Sequence, residues 1–111
     1  MATNVFLSVG SAIAASPGTA VYSGPGGSKQ AVVHSIYVSN IDGTNSADVT
    51  ITAKNLVGDT FRHVAKDVPV PAGSTLVLDK PIDLSFSGVI HMTASTAGDL
   101  ETVLGILEID P

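Results

Sequence analysis

Short runs of Val, Ile, Thr and Leu with a period of two, cut apart by glycine and proline, constrain this chain more than any other feature. Alternation places every second side chain on one face of an extended strand, and Gly and Pro end such strands in turns. With 11 Gly and 6 Pro punctuating 111 residues, and the longer stretches between them keeping a period near two, no credible long helix is left. The chain therefore reads as all-β.

The longest strand is expected over residues 29–40. Val32, Ile36 and Val38 should face one way, with Ala31, Ser35, Tyr37 and Ser39 the other. Val33 and His34 blur that alternation, which suggests partial cover on both faces. Residues 41–46 form a loop in which Asp42-Gly43 suits a turn with positive φ. Residues 47–56 alternate most cleanly, with Val49, Ile51 and Ala53 inward and Asp48, Thr50, Thr52 and Lys54 outward. Gly58-Asp59 turns the chain into a strand over 60–66.

Val68-Pro69-Val70-Pro71 cannot lie in the middle of a sheet, because proline lacks the N–H that a ladder needs. An extended edge or crossover segment is expected there, followed by a turn at Pro71-Ala72-Gly73-Ser74. A short strand over 75–79 presents Leu76 and Leu78 on one face. A loop carrying Leu84 and Phe86 then leads through Gly88 to a strand over 89–95, with Ile90, Met92 and Ala94 aligned. Thr96-Ala97-Gly98-Asp99 turns into the last strand, 100–109. Strands over 4–9 and 19–23, joined through Ser16-Pro17-Gly18, precede all of these.

Seven or eight strands at such spacing predict a two-sheet antiparallel sandwich, either immunoglobulin-like or a small jelly roll. At 111 residues the chain should bury roughly two-thirds of its unfolded surface, enough for one core. Residues 1–111 are read as a single domain, with 1–10 as an N-terminal arm or an edge strand. Val5-Phe6-Leu7 is a continuous apolar triplet within that segment. We expect it to pair with an edge of its own domain, the alternative being strand addition to a neighbouring subunit. Val5, Phe6 and Leu7 are accordingly the candidate partner-interface residues.

Charge narrows the range of partners. Five basic against 10 acidic side chains give a net charge of −5, which repels phosphate backbones and anionic lipid. Neither nucleic acid nor membrane is expected as a partner. No run approaches the roughly 18 apolar residues of a membrane span. The fairly apolar stretch 5–15 has no basic residue before it, Lys29 being the first, so no export signal is expected. The absence of cysteine excludes disulfides, thiolate metal sites and a cysteine nucleophile.

Candidate chemistry is thin, and no cofactor, metal or catalytic residue is assigned. His34, His63 and His91 fall on three separate strands, and a metal site would need them to converge with a carboxylate. Gly24 to Lys29 has the composition of a phosphate loop but the wrong order, since Ser28 precedes Lys29 and a strand follows. Asp79 with Asp83, and Glu101 with Glu108, are formal carboxylate pairs of the kind any acidic protein offers. The loop carrying Asp42 and Asp48, with Asp59 near the next turn, lacks the ligand alternation of a calcium-binding loop. The aromatics that could stack a sugar are Phe6, Phe61, Phe86, Tyr22 and Tyr37. The three Phe are needed first as core or interface filler in a chain without Trp.

Three stretches together carry a resemblance: TAVYSGPGGSKQAVVHSIYVSN (19–40), VPVPAGSTLVLD (68–79) and GVIHMTAS (88–95). From Thr19 onward the chain resembles small β-sandwich virion structural proteins of tailed bacteriophages, of the capsid decoration or cement type. It departs from that pattern at Gly88-Val89, where such proteins more often place Gly-Asp. The resemblance implies a non-enzymatic building block on the outer head surface that bridges and stabilises capsid subunits. Its implied partners are the major capsid protein and further copies of itself, for which a trimer would suit a capsid three-fold position. Two alternatives stay open, a neck, tail or fibre component of the virion and a carbohydrate-binding module for host attachment.

Overall fold

A computed structural model describes residues 3–24, 26, 29–54, 60–85 and 88–110. Every regular element among them is a β-strand. They are β1 (Thr3–Ala12), β2 (Thr19–Ser23), β3 (Gln30–Asn40), β4 (Ala47–Lys54), β5 (Arg62–Val70), β6 (Thr75–Leu78), β7 (Ile82–Leu84), β8 (Val89–Ala94) and β9 (Leu100–Asp110). One antiparallel sheet runs β1-β9-β3-β6, with β7 also on β3, and the other runs β2-β8-β4-β5.

The pairings nest. β1 lies on β9, β2 on β8, β3 on β6 and β7, and β4 on β5. A long hairpin rolled into two sheets gives this order, which is that of a jelly roll. The immunoglobulin-like alternative is thereby excluded. The count of nine strands exceeds the expected seven or eight because residues 82–84, read as loop, form β7 against Ala31 to Val33.

Alternation explains most of the core. Leu100, Leu104 and Ile106 of β9 and Ile36 and Val38 of β3 meet Val49 and Ile51 of β4 and Ile90 and Met92 of β8, all buried. Each such side chain contributes about 1.5–3 kcal/mol by leaving water. The core is aliphatic, with Tyr22 as its aromatic member among the described residues. Phe6 and Phe61 both lie outside it, and Phe86 falls outside the described residues.

Three local expectations are corrected. In β3 the pairing slips between Val33 and Ser35, so His34 is an extra residue opposite β9. This bulge reverses the phase: Ala31 and Val33 are buried before it, Ile36 and Val38 after it, and Val32 turns outward. The 41–46 loop does not use positive φ at Gly43. Instead the Asp42 carboxylate accepts the Thr44 N–H at 2.8 Å and the Asn45 amide at 3.3 Å, which holds its carboxyl below the ordinary range. β5 continues through Val68-Pro69-Val70 instead of stopping at 66, and its place at the sheet edge is what lets the ladder tolerate Pro69. The Gly58-Asp59 turn lies outside the described residues.

A side-chain hydrogen bond ties the two sheets near the end of β2. Tyr22 of β2, buried, donates its O–H to Glu108 Oε2 of β9 at 2.6 Å. Burial first, then the hydrogen bond and the charge of Glu108, push the phenol well above its ordinary value of 10.0. The unfolded chain's tyrosine therefore ionises first as pH rises. Its contribution to stability is intact below pH 10 and is lost progressively above it. Tyr22→Phe is expected to cost about 1.5–3 kcal/mol at neutral pH. It should also flatten the fall of stability from about pH 10 upward, measured by urea unfolding. An alkaline limb as steep as that of the parent chain would count against this bond.

Candidate interaction surface

The outward faces of the two sheets differ in kind. On the four-stranded sheet β4 presents Asp48, Thr50, Thr52 and Lys54, and β8 presents His91 and Thr93 beside them. Their polar groups are engaged: Thr50 Oγ1 donates to Asp67 at 3.2 Å, and Asp67 N–H returns a bond to the same hydroxyl at 3.1 Å. That is largely the ordinary outer face of an antiparallel sheet, polar toward water, with Phe61 its exposed aromatic beside His91 and Lys54.

The five-stranded sheet behaves otherwise. Register places Gly10, Val103, Tyr37 and Val77 in one cross-strand row. Val103 is 50% exposed, Val77 49% and Tyr37 43%. A second row holds Phe6, Leu107, Val32 and Asp83, and Phe6 is 77% exposed. Between these apolar bands lie Ser8, Gly105 and Ser35. The bulged His34 lays its ring over Gly105, where a Cβ would stand 2.9 Å from His34 Nε2. Charge on these rows is confined to Asp83 at one side, with Glu101 in the row beyond Val103.

Of the interface candidates Val5, Phe6 and Leu7, the structure puts all three on β1, paired with Glu108, Leu107 and Ile106 of β9. Leu7 leans inward against the core, Val5 is exposed at the rim, and Phe6 joins the outer apolar band. Tyr37 is exposed, as an outward position in β3 requires. Val77 and Val103 were missed by sequence reasoning. Their strands alternate, but alternation alone does not say which face is covered.

The remaining chemistry stays dispersed. His63 and His91 flank Thr52 on the four-stranded sheet, while His34 is on the other sheet. Among the described residues no group of three or more His, Asp or Glu converges as a metal site would need. His34 Nδ1 lies 3.4 Å from Ser35 Oγ in an exposed contact between chain neighbours. Glu101 points outward and Glu108 toward Tyr22, so these two do not act on one substrate. Phe61 stacks edge-on against His91 at 5.9 Å, and Lys54 Nζ covers its ring at 5.1 Å. A ring covered by a cation is not an open platform for a sugar. No helix of the described residues is long and apolar enough to cross a membrane.

No protein-family model matches the chain, and no curated protein matches it. Solved structures do match. A chain in the structure of the infectious bursal disease virus Gx strain is 13% identical, with 98% of this chain and 33% of that one covered, at a TM-score of 0.55. This chain thus spans about a third of the length of that viral chain. A subunit of the Bacillus endospore appendages, a family of disulfide-linked pili, is 18% identical over 97% of this chain and 85% of its own, at 0.51. The acidic stable capsid of Helicobacter pylori bacteriophage KHP30 contains a chain 12% identical, covering 100% and 94%, at 0.49. At such identities the first two likenesses are likenesses of fold, shared by a virus chain and a pilus chain with this one.

Proposed function

We propose that this chain is a structural subunit of a virus particle, a capsid decoration protein that holds the major capsid protein through the outer face of its five-stranded sheet. The observation that carries the reading is a pair of apolar rows on that face, the exposed Val103-Tyr37-Val77 and the exposed Phe6 beside half-buried Leu107 and Val32, with charge only at their margins. Solitary soluble domains keep such faces polar. The jelly-roll order is one used in viral shells, and the sequence resemblance points to the same class. A role of this kind asks for area and shape instead of reactive groups, and the bands supply that.

Copy number in purified particles, measured by quantitative mass spectrometry against the major capsid protein, tests the reading. A stoichiometry comparable to that protein is expected. A small fraction of it would move the subunit to the neck, tail or fibres, and absence from particles would sink the proposal. Attachment should survive about 1 M salt, because apolar contacts are not screened as charges are. Val103→Lys should lower occupancy on particles by roughly tenfold, equivalent to about 1.4 kcal/mol.

A further inference from the structure

Each sheet of a sandwich has two edges, and three of the four here are guarded. β5 carries Arg62, Lys66, Asp67 and Pro69, and its pairing with β4 slips twice. β2 has five residues and a slip between Ala20 and Tyr22. The third edge is divided between β6 and β7, of four and three residues, separated by Asp79-Lys80-Pro81. Charges, proline, bulges and shortness are the devices by which edge strands avoid pairing with foreign strands.

β1 has none of them. Its ten residues contain no charged residue and no proline, and all ten pair with β9 without a slip. Its second edge carries no strand among the described residues. Alternate N–H and C=O groups along about 34 Å of backbone are thereby offered to another strand.

We propose that β1 pairs antiparallel with β1 of a second copy, joining the two five-stranded sheets across a two-fold axis. Two observations select a copy of this chain as the occupant. β1 is uncharged, so two chains of net charge −5 can meet along it without opposing like charges within the ladder. Among the described residues the other three edges are guarded, so the edge left open there has its own counterpart as its complement. Pairing is then isologous and closes at two, where a second open edge would allow it to continue as a fibre. The joined sheet also doubles the outer apolar face. The whole outer face of one such sheet measures about 600 Å², from four strands some 4.8 Å apart and about 33 Å long, and the joined sheet presents about twice that extent. The dimer itself does not rest on the virion reading and is a property of the isolated protein.

The full chain, sedimented over micromolar to millimolar concentrations, should show a reversible monomer–dimer equilibrium. Phe6→Lys combined with Ser8→Lys places two exposed cations on β1. This variant should weaken dimerisation by at least about tenfold, while urea unfolding of the dilute monomer stays unchanged. Hydrogen exchange gives an independent readout: alternate β1 amides should become protected as concentration rises, with those of β5 unaffected. A chain that is monomeric throughout overturns the proposal. So does a trimer or an open polymer, and so does a dimer whose β1 amides exchange equally fast at all concentrations. Particle occupancy is measured separately, so the dimer and the decoration role fail or stand independently.

Discussion

Replacing Asn40 by Leu is expected to cost about 3–5 kcal/mol, a large part of the 5–15 kcal/mol that holds a domain together. Asn40 ends β3 and is 3% exposed. Its amide donates to the carbonyls of Asn45 and Val70, both at 2.9 Å, and its Oδ1 accepts the Asp42 N–H at 2.9 Å. One side chain thus ties the five-stranded sheet to the end of β5 in the other sheet and shapes the intervening loop. Leucine has a similar volume and would gain some apolar burial. It would also take the partner from the part-buried Asp42 N–H and Asn45 carbonyl, and leave the buried Val70 carbonyl only a 3.4 Å contact from the Ser46 hydroxyl. Unsatisfied buried groups cost about 1–3 kcal/mol each, so desolvation outweighs the gain.

Asn40→Asp separates shape from hydrogen bonding. A carboxylate there faces two carbonyl oxygens, which raises its pKa in the folded state above the unfolded value of about 3.9. Stability should then fall as pH rises through that value, and recover in acid where the neutral carboxyl can donate once. Urea unfolding of the parent and both variants decides the matter. A loss below about 1 kcal/mol for Asn40→Leu would show that the bonds contribute little.

A pair of glycines should lose stability very unequally when replaced by alanine. Gly18 sits at φ 92 in the turn before β2, and a Cβ there would meet the Met92 carbonyl oxygen at 2.6 Å and His91 Cε1 at 2.7 Å. Gly73 sits at φ 70 in the turn closed by Ser74 N–H on the Pro71 carbonyl, with nothing near the same point. Both substitutions incur the left-handed backbone penalty, about 1 kcal/mol. Only Gly18→Ala adds an overlap with the backbone of β8, which cannot swing aside as a side-chain tip can. We expect about 1 kcal/mol at Gly73 and about 3–4 kcal/mol at Gly18. Thermal melts of the two variants check this, and equal losses would show that packing around Gly18 relaxes freely.

The readable parts of this fold were those written in local chemistry. Thr19 to Ser23 stood out as a strand because punctuation bounds it on both sides. Val68-Pro69-Val70 could be kept out of the middle of a sheet, as an edge or a crossover, because a missing N–H is a property of one residue. The reversal at His34 was not readable: Ala31-Val32-Val33 is apolar at every position, so either phase of the strand fits it. Residues 82–84 escaped notice because three residues show no period. The outer apolar bands were half legible. Tyr37 fell on the outward side of its strand, but Val103 alternates with Thr102 and Leu104 in a segment apolar on both faces.

What the sequence determined by itself was the class: alternating strands, turns at Gly and Pro, a core without thiols, and a proline segment that no central strand could hold. These follow from backbone sterics and side-chain period, which act within a few residues. The tertiary structure decided the nested jelly-roll order, the outward placement of Val77 and Val103, and the exposure of β1 beside three guarded edges. It also decided that Asn40 would bridge the sheets. Each depends on which strand lies opposite which, and that choice is made by burial summed over contacts far apart in the chain, where no single residue carries the signal.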